Sequence, residues 1–152
     1  MRGIDRLPDW TQLLVGQVLW GANLAAGMLM LQLGDRRLEV KWSGKEVEVG
    51  AVALHIQSPW RFRRTDGHIL AGASDERIDG LLEACRTEPR VVSVRFDECG
   101  GLSIEFEQAL RLDVFPATAS EDEHTEFWRM LVMKDARHWH VVVGPAEGVT
   151  IS

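Results

Sequence analysis

Between residues 91 and 115 the chain alternates apolar and polar side chains with a period of two, and this limits its fold more tightly than any other stretch. Val92, Val94 and Phe96 interleave with Ser93, Arg95 and Asp97. Leu102, Ile104 and Phe106 interleave with Ser103, Glu105 and Glu107, and Leu110, Leu112 and Val114 with Arg111 and Asp113. A period of two places each apolar set on one face of a strand. Residues 98–101, ending in Gly100 and Gly101, supply the first turn, because glycine reaches positive φ without steric cost. Gln108 and Ala109 make the second. The stretch reads as an antiparallel meander with one buried and one solvated face.

A weaker copy precedes it. Val15, Val18 and Trp20 suggest a first strand, residues 28–33 a second, and Leu38, Val40 and Trp42 a third after a turn at Gly34-Asp35-Arg36. Both stretches then continue alike. Trp60-Arg61 leads to a turn with Asp66 and a strand running from His68 to Gly72. Trp128-Arg129 leads to a turn with Asp135 and a strand running from His138 to Gly144. The expectation is a degenerate internal duplication of residues 15–72 and 91–144, with loop insertions accounting for the drifting offsets. A linking helix is expected over 75–87, where Ile78, Leu81, Leu82 and Cys85 form one apolar stripe, Ser74 caps the first turn and Pro89 stops the helix. Ser120-Glu121-Asp122-Glu123 fits a capping box and suggests a short helix over about 120–127. The fold class is then α+β in a single domain over 1–152: mostly antiparallel sheet built from two similar β-rich halves of five strands each, joined by one helix.

Composition narrows the function classes. The chain of 152 residues carries 17 Lys and Arg against 23 Asp and Glu, a formal charge of −6, which argues against general nucleic-acid binding. Two cysteines, neither in a CxxC pair, make no disulfide framework, redox motif or zinc motif. The N-terminus lacks a continuous apolar core, and the most apolar stretch, 24–33, is shorter than the roughly 20 residues a bilayer-spanning helix needs. The expectation is a cytoplasmic protein with no membrane or nucleic-acid partner and no cofactor.

Six tryptophans and no tyrosine are spread along the chain, and even spacing favours core and rim anchors over a single aromatic platform. Neighbours in a strand face opposite ways, so each Trp-Arg pair offers one buried ring and one outward guanidinium. Arg61 and Arg63 share that outward face, and with Arg129 they form candidate anchors for a carboxylate, a phosphate or an acidic partner surface, competing with pairing to the chain's own acids. His55 and His68 are further candidates, because a pocket joining them to a carboxylate would favour an enzyme. His138 and His140, two apart in a strand, are a candidate metal pair, with His124, Glu121, Asp122 or Glu123 as a third ligand. No GxGxxG, P-loop, HExxH or Gly-x-Ser-x-Gly motif occurs, so no catalytic residue is assigned.

Residues 54–61, 110–116 and 127–129 together resemble a group of small bacterial proteins of unknown function, some of which sit beside polymorphic toxins as immunity proteins. The resemblance implies a non-enzymatic module that binds a protein partner, with a homodimer as a further expectation. The alternative is a small-molecule or metal-dependent enzyme using a cleft between the two halves.

Overall fold

The computed structural model describes residues 3–119, 125–145 and 148–152, with the backbone alone for 3 and 4. Among the described residues two short α-helices accompany eleven strands: α1 (Gly3–Thr11), β1 (Leu19–Ala25), β2 (Met28–Val40), β3 (Glu46–Ile56), β4 (Trp60–Arg64), β5 (Ile69–Gly72), α2 (Asp79–Arg86), β6 (Val91–Phe96), β7 (Leu102–Phe106), β8 (Leu110–Val114), β9 (Trp128–Lys134), β10 (Arg137–Gly144) and β11 (Gly148–Ile151). All described pairings are antiparallel. They form a six-stranded sheet, β1-β2-β3-β9-β10-β11, and a five-stranded sheet, β5-β4-β8-β7-β6.

The fold is therefore mostly antiparallel β, but the halves do not each form a sheet. The first half sends β1–β3 into one sheet and β4–β5 into the other; the second sends β6–β8 and β9–β10 the opposite way. The halves interleave, so they do not face each other across a cleft. Alternate side chains from both sheets meet in one core, including Leu29, Leu31, Leu54 and Trp128 from the first sheet and Trp60, Phe62, Ile104 and Leu112 from the second.

The two strand orders correspond under exchange of β1–β5 with β6–β10, and so do the registers. Trp128 lies opposite Ile56, and Trp60 opposite Val114. Arg129 faces His55 as Arg61 faces Asp113. Leu31 faces Leu54 as Ile104 faces Leu112. A bulge follows Leu19 in β1 and Val91 in β6, where each first strand meets its neighbour. The match of His68–Gly72 with His138–Gly144 slips by two residues: Gly72 faces Arg61 as Val142, not Gly144, faces Arg129.

Several local expectations are corrected. The β6 bulge turns Val91 into the core and leaves Val92 exposed. β1 begins at Leu19, after a 3-10 turn over Gln12–Leu14 that ends at Val15. The expected turn at Gly34-Asp35-Arg36 is a bulge inside a single long β2, and the true third strand is β3. Gly34 has φ of 78°, its N–H donates to the Val18 carbonyl, and its carbonyl accepts from Trp20 Nε1 at 2.9 Å, so the chain bends there without leaving the sheet. Opposite the bulge, a Cβ on Gly50 would run into the Leu33 backbone, which fixes glycine at that place.

The linking helix is shorter than 75–87. Its N-cap is Ile78, without a side-chain cap, so Ser74 does not cap it, and Asp75 closes a preceding turn by accepting from Gly72 N–H at 2.8 Å. The helix α1 was not expected; burial of Leu7, Trp10 and Thr11 holds it although Pro8 lies inside it. β11 was not expected either. Of the short helix expected over 120–127, residues 120–124 lie outside the described residues, and 125–127 are not helical. No described helix is long and apolar enough to cross a membrane.

Candidate functional site

β8 runs between β4 and β7, so the outward side chains of three strands converge on its middle. Arg61 and Ser103 lie directly opposite Asp113, Arg63 and Glu105 opposite Arg111, and Arg95 opposite Ser103. Asp113 is buried on this outer face because guanidinium groups roof it. Arg61 Nε lies 3.0 Å and Arg63 Nε 2.9 Å from Oδ2, and Arg111 Nε lies 2.8 Å from Oδ1. Burial alone would raise the Asp113 carboxyl, but hydrogen bonds from Arg63, Arg61 and Arg111 outweigh it and hold the group below its ordinary range.

The arrangement overcompensates the acid. Four arginines, at 61, 63, 95 and 111, share the face with the carboxylates of Asp113 and Glu105, and Asp97 lines the same depression with its Oδ1 accepting from the Cys99 and Gly101 N–H groups. Arg111 reaches Glu105 only at 3.6 Å, and among the described residues Arg95 has no carboxylate partner. A depression of about 540 Å³ opens there, lined by Arg61, Arg95, Arg111, Asp113 and Phe115 among others. Arg61 lies over the Phe115 ring at 5.4 Å, which adds an apolar wall and holds the guanidinium.

The equivalent place on the six-stranded sheet has different chemistry. His55 stands where Asp113 stands, opposite Arg129. Arg129 forms an ion pair with Glu126, and its Nη1 lies 3.2 Å from His140 Nδ1, so that nitrogen accepts. Gln57 Nε2 donates to the same Glu126 at 3.4 Å. Burial, then the charge of Arg129, lowers the His55 pKa, with Glu126 opposing and His140 assisting.

The remaining sequence candidates fall apart or together as follows. Trp60 and Trp128 are buried, and their neighbours Arg61 and Arg129 point outward. His55 lies on β3 of one sheet, whereas His68 lies in the β4–β5 turn of the other, where its backbone N–H donates to Asp66. His138 and His140 do share a face, and His138 lines a depression of about 220 Å³ that also holds His55 and Glu39. Among the described residues no three metal-ligating side chains gather, and the guanidinium beside His140 disfavours a further cation. His124, Glu121, Asp122 and Glu123 lie outside the described residues.

Sequence reasoning missed Asp113, Arg111 and Arg95 as members of the arginine face. The signal was present: all three sit at the polar positions of the clearest alternating stretch, and only the strand order was needed to join them to Arg61. Comparison with known proteins adds nothing to this geometry: no protein family, no curated protein and no solved structure matches the chain.

Proposed function

We propose that the chain is a non-enzymatic binding module that receives carboxylate groups of a protein partner on the outer face of its five-stranded sheet. The observation that carries this reading is the anchoring of three guanidinium groups, through Nε, on the single buried carboxylate of Asp113. Each arginine otherwise loses roughly 2 kcal/mol of rotamer entropy when it is fixed by a ligand. Here that loss is taken on folding, with Arg61 held through Nε at the wall of the depression. Arg95 adds an unpaired cation beside it. The resemblance to immunity-type proteins agrees with a protein as the partner, and a toxin gene adjacent to this one would name it.

Polyglutamate serves as a probe of the face. In an NMR titration, the Nε–Hε signals of Arg61, Arg95 and Arg111 are expected to move, with the effect fading as salt rises. Arg61→Ala with Arg95→Ala should abolish the response while the melting temperature stays within a few degrees. Shifts centred elsewhere, or none at low salt, refute the assignment.

We also infer that the two halves descend from an internal duplication. Matched strand order, matched register around both Trp-Arg pairs and a bulge at the same place in β1 and β6 support it. Superposing the halves on their meanders should bring Trp60 onto Trp128 and Phe62 onto Met130; a fit that cannot do both removes the inference.

A further inference from the structure

β2 and β3 run past their sheet. β1 pairs with β2 no further than Leu33, and β9 pairs with β3 no further than Val52. From Arg36 to Val40, β2 has β3 on one side and no strand on the other. This arm ends in the three-residue loop of Trp42, Ser43 and Gly44, closed by hydrogen bonds from Lys41 N–H to Lys45 O and from Gly44 N–H to Lys41 O. Its exposed apolar surface is large: Leu38 is 65% exposed, Val40 67%, and Trp42 wholly so. A two-stranded ribbon is marginal in water by itself, and an open edge is a template for another strand.

The sequence of that edge selects the strand it would accept. An antiparallel pair related by a twofold axis sets one residue opposite itself. Centred on Arg36, Arg37 or Glu39, pairing of β2 with a second β2 opposes like charges at the axis, and centred on Val40 it runs at once into the loop of Trp42, Ser43 and Gly44. Centred on Leu38, it sets Leu38 against Leu38, Arg36 against Val40, and Arg37 against Glu39 twice, with Asp35 and Lys41 complementary just beyond. The β3 edge has no register with complementary charges: centring on Glu48 opposes two glutamates at the axis, centring on Val47 opposes Glu46 to Glu48, and centring on Val49 leaves Glu46 and Glu48 opposite uncharged residues. Within one chain Arg37 already reaches Glu39 at 2.9 Å through Nη2, yet its Nε is buried without a partner.

We propose that the chain forms a twofold homodimer through the free edge of β2, residues 36–40, paired antiparallel about Leu38. The pairing satisfies the open backbone edge, sets Leu38 against its own copy and Val40 against the Arg36 stem, and exchanges or extends the Arg37–Glu39 ion pair across the axis. It leaves the arginine face on the other sheet untouched, so failure of either proposal leaves the other standing.

Sedimentation equilibrium of the full chain over a range of concentrations tests it. The wild type should show a monomer–dimer equilibrium. Arg37→Glu and Glu39→Arg should each weaken the dimer about tenfold or more, since like charges across an interface cost several kcal/mol. The charge swap carrying both changes should restore it, and mixing the two single variants should give a heterodimer. Circular dichroism melts close to wild type confirm that each variant is folded, and Leu38→Lys supplies a second break should one of them not fold. A wild type that stays monomeric at its highest soluble concentration overturns the proposal. So does a dimer indifferent to all of these changes, or single variants that are folded and monomeric but neither rescued by the swap nor by mixing.

Discussion

The two halves share a register but close their second hairpins differently. In the second half Phe106 pairs with Leu110 across residues 107–109, with Gln108 and Ala109 at positive φ. At the corresponding place in the first half Leu33 pairs with Val52, and residues 34–51 intervene as a bulge followed by the exposed arm. Since the shorter connection suffices to join equivalent strands, the arm is surplus to the shared core. The second difference lies at one position: Asp113 collects three arginines, whereas His55 meets a single arginine already engaged by Glu126. Equivalent backbone thus carries two unlike outer faces, one cationic and ordered by ion pairs, the other carrying histidines.

The largest test of the equivalence is truncation of its two anchors. Trp60 and Trp128 begin β4 and β9 and are buried to similar extents. Each Trp→Ala change is expected to cost roughly 3–5 kcal/mol in denaturant unfolding. Trp128 should lie at the upper end, because its Nε1 also donates to the Gly100 carbonyl at 2.9 Å, a bond of about 1 kcal/mol net. A melt of either variant that overlays the wild type would remove that ring from the core.

Next in size is Asp113→Ala. It leaves three guanidinium groups facing one another without their carboxylate, and the expected loss is about 2 kcal/mol, moderated because Arg61 remains half exposed. His55→Ala at the equivalent place should cost clearly less. Equal losses at the two positions would mean that the arginines are held by something other than Asp113.

These contrasts show what the sequence could reveal. Residues 91–115 predicted β6–β8 almost residue for residue, because a strand wet on one face must alternate. The Trp-Arg pairs marked β4 and β9 for the same reason. The arm was misread because Gly34-Asp35-Arg36 has turn chemistry, and only the donors and acceptors of Val18 and Trp20 decide that the chain bends instead. Burial of α1 against the sheet overrides the local signal of Pro8. Arg61 and Arg63 were legible as an outward strip, but the acid that gathers them sits fifty residues away, beyond the reach of any local pattern.

Replacing residues 34–51 by residues 107–109 would make the first half as short as the second. The expected change in monomer stability is about 1 kcal/mol or less, because Gly50 is the one buried residue of the arm and no side chain of residues 34–51 is buried. Unfolding by denaturant should stay cooperative. Loss of the folded state would show that the arm, through the Arg36–Glu88 pair at 2.8 Å, is part of the fold and not an addition to it.

The smallest effect separates the two equivalent positions by pH. Both groups have folded-state pKa values below their ordinary ones, from different causes: burial and Arg129 at His55, and arginine hydrogen bonds that outweigh burial at Asp113. A depressed pKa means that the unfolded chain binds protons more readily, so stability falls as pH falls through the interval between the two values. For His55 that interval begins below its ordinary value of 6.5, and the contribution is complete above it. For Asp113 it begins only below 3.8. Stability should therefore decline in two separate steps on acidification. His55→Gln should flatten the first step and leave the second, while Asp113→Asn should do the reverse from a lower starting stability. Urea midpoints measured at half-unit intervals from pH 7.5 downward resolve the steps. A first step that survives His55→Gln would transfer it to another histidine and remove the distinction drawn between the two faces.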